Sequence, residues 1–266
     1  MRNKTTSPSL QLMNPIGTCT LVGAGPGDPD LITMKAVKAI AAATVLLVDD
    51  LVNPELIRLY AKKDATVVYV GKRGGCISTH QRVIHHRMLV AVQEGEIVVR
   101  LKGGDPMIFG RSAEELTFLR DHGIEVTVIN GITSGLAGAT SIGIPLTHRE
   151  YAHGVVFVTG HAKLDGNNLD WPKLAITANS LKLTLVIYMG IAEAEHIQNG
   201  LLKGMPLLTP VAIIQDATLE TQRYVKCNLA QLKSTVDVHG LKSPAVIVIG
   251  DVVEVLKKLG QKALET

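Results

Sequence analysis

Val98-Val99-Arg100-Leu101-Lys102-Gly103-Gly104-Asp105-Pro106 carries a short apolar run straight into paired glycines, an acid and a proline. The preceding run Glu96-Ile97-Val98-Val99 is β-branched and too short for a helix, so it reads as a buried strand. Gly103 and Gly104 permit positive φ and close backbone approach, and Asp105-Pro106 reads as an N-cap followed by a first-turn proline. A strand that ends in such a loop and opens a helix belongs to an open α/β sheet, where small ligands bind at the carboxyl ends of strands. The same pattern recurs where Thr18-Cys19-Thr20-Leu21-Val22 runs into Gly23-Ala24-Gly25-Pro26-Gly27-Asp28-Pro29. Two such loops point to one crevice lined from both.

Outward from these loops, strands and helices alternate: strand 19–23, helix 31–42, strand 45–49, helix 54–61, strand 66–70, helix 79–94, strand 97–101, helix 113–122 and strand 125–129. Alternation of this kind predicts a mostly parallel sheet covered by helices. The pattern pauses at Gly143-Ile144-Pro145-Leu146-Thr147-His148 and resumes with strands 155–159, 183–188, 211–215 and 245–250, helices 191–202 and 252–259, and a polar excursion over 218–225. The expected organisation is a polar arm over 1–16, α/β domains over 17–146 and 147–260, and a tail over 261–266, with a cleft between the domains.

The 266 residues are 46% hydrophobic and 19% charged, the balance of a well-packed globular protein. No apolar run reaches the roughly 18 residues that span a bilayer. The polar start lacks the apolar core of a signal peptide, so a cytoplasmic protein without a membrane partner is expected. Cys19, Cys76 and Cys227 are far apart and form no CxxC pair, which argues against a metal site or a disulfide framework. A net charge of +3 and 3% aromatic residues make nucleic acid an unpromising partner.

Gly23-Ala24-Gly25 follows a strand, as a dinucleotide fingerprint does, but Asp28 stands where a small residue is required and would repel a pyrophosphate. Gly71-Lys72 is followed by Arg73 where a phosphate loop needs Ser or Thr. What remains is a glycine-rich loop suited to a ligand without phosphates. Any one of these glycines alone is equally well an ordinary turn residue.

Taken together, the first loop, Gly71-Lys72-Arg73, the Arg100 to Pro106 run, Phe109-Gly110-Arg111, Gly131-Ile132-Thr133-Ser134 and Gly143-Ile144-Pro145-Leu146-Thr147-His148-Arg149 closely resemble the uroporphyrinogen III C-methyltransferases. The resemblance continues through Thr159-Gly160-His161, Tyr188-Met189-Gly190 and Ser243-Pro244-Ala245. It implies the two-domain α/β fold of the tetrapyrrole methylases, a homodimer, and S-adenosylmethionine in the cleft between domains, released as S-adenosylhomocysteine. The chain departs from the usual family pattern at Val48-Asp49-Asp50-Leu51-Val52, where Tyr-Asp-Arg-Leu-Val is common.

By the same resemblance, the cofactor site comprises Pro26, Gly103, Gly104, Asp105, Ile108, Thr133, Ser134, Met189, Ala217 and Ala245. Met189 reads equally as a core residue at a strand end. Uroporphyrinogen III, a polycarboxylate, implies several cationic partners, with Lys72, Arg73, Arg111 and Arg149 as the candidates and Glu114, three residues beyond Arg111, orienting it; His161, as a neutral imidazole, hydrogen-bonds a carboxylate or pyrrole or takes a proton, with Met189 beside them. The adjacent His85-His86 pair reads as solvated.

The implied reaction is attack of a pyrrole carbon on the sulfonium methyl, at carbons 2 and 7, giving precorrin-2 for sirohaem, cobalamin or haem d1 synthesis. The sulfonium is a good leaving group, so no metal is expected. The resemblance points to Asp49 as proton acceptor and Lys72 as proton donor, with Arg111 an alternative essential group. A methylase of the same fold with another acceptor, and a non-catalytic tetrapyrrole-binding protein, are the competing readings.

Overall fold

The computed structural model describes residues 17–71, 81–161 and 169–257. The expectations for the arm 1–16, the tail 261–266, Lys72, Arg73, Cys76 and the end of the last helix fall outside the described residues.

Two five-stranded sheets carry the fold. The first holds β1 (Thr18–Gly23), β2 (Val45–Val48), β3 (Thr66–Tyr69), β4 (Ile97–Lys102) and β5 (Val126–Ile129) in the order β3-β2-β4-β1-β5. Every pairing in it is parallel. Helices α1 (Met34–Ala42) and α2 (Pro54–Tyr60) cover one face, packing Ala36, Ile40 and Leu56 on Val22, Leu46, Val99 and Leu101. Helices α3 (Gln81–Gln93) and α4 (Ser112–Asp121) cover the other, packing Ile84, Met88 and Leu119 on Cys19, Leu21 and Val98. Burial on both faces is why these strands read as apolar runs. Adjacent strands β1 and β4 send their chains to helices on opposite faces, which opens a crevice at their carboxyl ends.

The second sheet holds β6 (Gly154–Thr159), β7 (Leu183–Tyr188), β8 (Pro210–Gln215), β9 (Arg223–Asn228) and β10 (Ala245–Ile249) in the order β6-β7-β10-β8-β9. Only β6 and β7 pair in parallel; β10 runs antiparallel to β7 and β8, and β9 antiparallel to β8. Helix α5 (Ser134–Ser141), which follows the first sheet in sequence, packs Ala139 against Val186, Ala212, Ile214 and Val246 of the second. Helices α6 (Trp171–Ser180), α7 (Ala194–Leu201) and α8 (Leu232–Val238) cover the opposite face through Trp171, Ile197, Leu201 and Leu232.

The two α/β sheets agree with the expected fold class, and several details differ. The second sheet is mixed: β8 returns antiparallel as β9 through a short connection, and β10, reached after α8, inserts antiparallel between β7 and β8. Helices α5, α6 and α8 were not anticipated, and the polar excursion pairs as edge strand β9. Helix α1 starts at Met34, where the Thr33 hydroxyl accepts from the Ala36 amide, after a separate 3₁₀ turn over Pro29–Leu31. Asp105-Pro106 opens a turn, with the Met107 amide donating to Asp105 Oδ1 at 2.8 Å, and helix α4 begins only at Ser112. His85 is buried and stacks on Phe118 with ring centroids 4.9 Å apart; only His86 is solvated.

Candidate functional site

The two glycine-rich loops lie against each other. Gly25 N–H donates to Gly104 O at 3.2 Å and Gly104 N–H to Gly25 O at 2.7 Å, a two-bond bridge across the crevice between β1 and β4. Asp105, nearly buried, joins the loop after β5 to them: its Oδ2 accepts from Gly131 N–H at 3.1 Å and from Asn130 Nδ2 at 3.2 Å. Gly131 is required for this approach, since a Cβ there would stand 2.2 Å from Gly104 O.

The second half of the chain closes on these loops from above. Asp28 N–H donates to Thr218 Oγ1 at 3.1 Å, so the loop after β1 is tied to the loop after β8. Tyr188, the last residue of β7, exchanges a hydrogen bond with Thr133 Oγ1 at 2.7 Å and accepts from Gly135 N–H at 2.9 Å, holding the start of α5. Gly135 leaves room for that hydroxyl, because a Cβ would sit 2.3 Å from Tyr188 Oη. The Tyr188 ring meets Phe109 with centroids 5.0 Å apart, which pins the loop that carries Ile108 and Arg111. Of the six non-glycine residues with positive φ among those described, five (Phe109, Arg111, Met189, Asp216 and Thr218) lie in these loops. Backbone strain gathered at one place marks a site whose loops are held by their surroundings.

Most residues proposed for the cofactor converge here. Gly103, Gly104 and Asp105 form the loop after β4, Thr133 and Ser134 open α5, and Met189 follows Tyr188. Met189 is 48% exposed, so the core reading fails for it. Ala217 is buried, its carbonyl and the Leu219 side chain facing Gly27, next to half-buried Pro26. Ala245 opens β10 opposite Gln215. The loop before exposed His161 also borders this region, with Gly160 N–H donating to Tyr188 O at 2.7 Å. Arg149 is exposed in the bend closed by His148 and Ala152.

The charged groups fall into two sets. Arg111 and Glu114 form an exposed pair at the start of α4, with Nε–Oε1 at 2.8 Å and Nη2–Oε2 at 2.6 Å. The Arg111 guanidinium holds the Glu114 carboxyl below its ordinary range. The second set is buried. Glu115 accepts from Arg100 Nε at 3.1 Å and from Lys102 Nζ at 2.8 Å, and Arg100 Nη2 lies 3.6 Å from Asp49 Oδ1 just beyond β2. Burial pulls the Lys102 ammonium below its usual range against the opposing pull of Glu115. Burial also pushes the neighbouring Cys19 thiol up to about 12.

Sequence reasoning missed Tyr188 and Glu115. The signal for Glu115 was present, because Arg100 and Lys102 at alternate positions of one strand share a face and need a buried acid opposite. Among the described residues, no group of His, Cys, Asp and Glu could hold a metal ion, and no helix is long and apolar enough to cross a membrane.

Comparison with known proteins agrees with this geometry. The chain is 52% identical over 237 residues, 89% of its length and 94% of the relative's, to a uroporphyrinogen-III C-methyltransferase of Pseudomonas aeruginosa. It is 45% identical over 250 residues to siroheme synthase 2 of Aeromonas hydrophila, spanning 52% of that protein. The solved structure of uroporphyrin-III C-methyl transferase from Thermus thermophilus complexed with S-adenyl homocysteine superposes with a TM-score of 0.74 at 37% identity, covering 90% of this chain and 94% of that one. Residues 18–233 match the tetrapyrrole (corrin/porphyrin) methylases, and with that match over most of the chain and a relative 52% identical over 94% of its length, the chain belongs to that family.

Proposed function

We propose that this chain is an S-adenosylmethionine-dependent C-methyltransferase that methylates uroporphyrinogen III at carbons 2 and 7 to make precorrin-2. The observation that carries the reading is the seam where the paired loops after β1 and β4 meet the start of α5 and the end of β7. Its donor set suits the cofactor: glycine backbone, a helix start for a carboxylate, and exposed Met189 with half-buried Ile108 for an apolar ring. Likeness to uroporphyrinogen-III C-methyltransferases, one of them solved with S-adenyl homocysteine, supports the same chemistry.

S-adenosylmethionine, when bound, supplies an electrophilic methyl group on a sulfonium. Pro26, Gly103, Gly104, Asp105, Thr133 and Ser134 would hold its polar parts, while Ile108, Met189, Ala217 and Ala245 would line its apolar ones. Arg111 and Arg149 bind substrate carboxylates, with Glu114 fixing the Arg111 fork and His161 adding a donor. Holding acceptor carbon and methyl donor in line supplies much of the rate. After transfer, the methylated ring holds a positive charge; the C–H bond at a bridging carbon breaks, its electron pair forms a carbon–carbon double bond to the ring and cancels that charge, and Asp49 takes the proton. A cytoplasmic homodimer completes the proposal, checked by sedimentation of the purified chain.

The test is anaerobic incubation with uroporphyrinogen III and methyl-labelled S-adenosylmethionine, read by product mass. Two added methyl groups are expected. Cofactor binding without transfer to this acceptor overturns the substrate assignment, and absence of both binding and transfer overturns the reading as a methylase.

A further inference from the structure

The buried charges between β4 and α4 lie beside the cleft, and the proposed reaction gives them no part. Glu115 is fully buried, Arg100 is 2% exposed and Lys102 is 3% exposed, in a core otherwise built from Cys19, Val98 and Leu119. Two cations against one carboxylate leave an excess positive charge in a low-dielectric interior, an arrangement that needs a further anion. Asp49 is the carboxylate within reach: Arg100 spends Nε on Glu115 and turns Nη2 toward Asp49 Oδ1.

Other polar and titratable groups face the same cluster, and Lys102 too lies within the field of Asp49. From α3, Gln81 Nε2 donates to Glu115 Oε1 at 3.2 Å, and His85 beside it is held toward its neutral form by burial. From β1, the Cys19 thiol stays protonated. On Asp49's own loop, the Asp50 carboxylate packs against Gly71 at the end of β3, where a Cβ would meet Asp50 Oδ1 at 2.0 Å. Two cations and two carboxylates thus meet where β2, β4 and α4 come together.

We propose that Glu115, acting through Arg100, is a positioning residue that sets how much positive charge Asp49 faces, and thereby the pH at which Asp49 becomes able to accept the proton of the methylation reaction. The inference rests on Asp49 as proton acceptor. It gives Glu115 a role distinct from its neighbour Glu114, which holds Arg111 on the surface of the same helix.

The geometry predicts shifts of opposite sign in two variants. Glu115→Gln keeps the side chain's shape and frees Arg100 from its main partner, so Asp49 is the remaining carboxylate beside it. Its carboxylate is then favoured, and the acidic limb of the pH–rate profile moves to lower pH. Arg100→Met removes the cation and moves the same limb to higher pH. Each shift is expected at about one pH unit, the low end of what an opposite charge within 4–6 Å contributes, because Asp49 is 37% exposed. Arg100→Lys, which restores a cation on the same strand position, is expected to bring the limb back toward that of the unaltered enzyme.

The experiment measures initial rates of methyl transfer to uroporphyrinogen III from pH 3 to 9, a range that spans the ordinary carboxylate region, for the unaltered protein and the three variants. Binding of S-adenosylhomocysteine by calorimetry selects folded preparations. Where Arg100→Met does not fold, Glu115→Gln and Arg100→Lys carry the test. Opposite displacements with rescue support the proposal; coincident limbs, or limbs displaced the same way, overturn it. Failure of the unaltered protein to transfer methyl groups overturns the functional reading beneath it.

Discussion

Replacing Tyr188 by Phe removes one oxygen and keeps the ring. That oxygen accepts from Gly135 N–H and bonds Thr133 Oγ1, both at buried residues, so the substitution strands a backbone donor at the start of α5. Leaving such a group unsatisfied costs about 1–3 kcal/mol, and Thr133 can turn its hydroxyl elsewhere, so about 2 kcal/mol is expected. In a chain of this size that is a fall in Tm of about 4–8 °C. The same contacts join the residues proposed for the cofactor on α5 to Met189, which follows Tyr188, so S-adenosylhomocysteine is expected to bind about tenfold more weakly, equivalent to about 1.4 kcal/mol. Scanning calorimetry and titration calorimetry on the same preparations read both effects. A double cycle with Thr133→Val isolates the pair, with a coupling of about 1 kcal/mol expected between the two hydroxyls. Unchanged Tm and unchanged affinity in Tyr188→Phe would refute the view that this hydroxyl joins the two halves of the site.

Gly131→Ala places a methyl 2.2 Å from Gly104 O, a clash with backbone that no side chain can relieve, so cofactor binding measured by calorimetry should fall at least tenfold. Glu114→Gln releases the Arg111 fork while leaving its charge, and steady-state kinetics should show KM for uroporphyrinogen rising several-fold with a smaller change in kcat. The Cys19 thiol, raised from 9.0 to about 12, stays protonated in the folded chain while an unfolded thiol ionises. The unfolded state then binds fewer protons, so stability is fully present below pH 9 and falls by about 1.4 kcal/mol per pH unit from there toward pH 12. Chemical denaturation at pH 8 and pH 10 should show a shallower loss in Cys19→Ala than in the unaltered protein.

The first sheet was readable because its inner strands β1, β2 and β4 are mostly buried on both faces, and helices α1 and α2 are announced by caps at Thr33 and Asn53-Pro54. The second was less so for identifiable reasons. Helix α5 is Ser-Gly-Leu-Ala-Gly-Ala-Thr-Ser, small residues whose spacing carries little amphipathic signal because its packing depends on close approach rather than on large apolar side chains. Edge strand β9, Arg223-Tyr-Val-Lys-Cys-Asn228, is exposed on one side and reads as polar. Helix α4 starts late because Arg111 takes a left-handed conformation that nothing local in the sequence demands. The loops of the site were found through glycine and proline, whereas the clasp at Tyr188 and the buried Glu115 depend on partners more than a dozen residues away in sequence.

Strand β10 lies at the centre of the second sheet, yet among the described residues it is the last strand made. Until the ribosome has extruded Ile249, strands β6–β7 and β8–β9 are two separate ribbons, each with an apolar edge waiting for the same missing member. A nascent chain halted before Ala245 therefore presents a complete first sheet beside a divided second one. Such stalled or truncated products are expected to engage chaperones and proteases far more than chains released a few residues later.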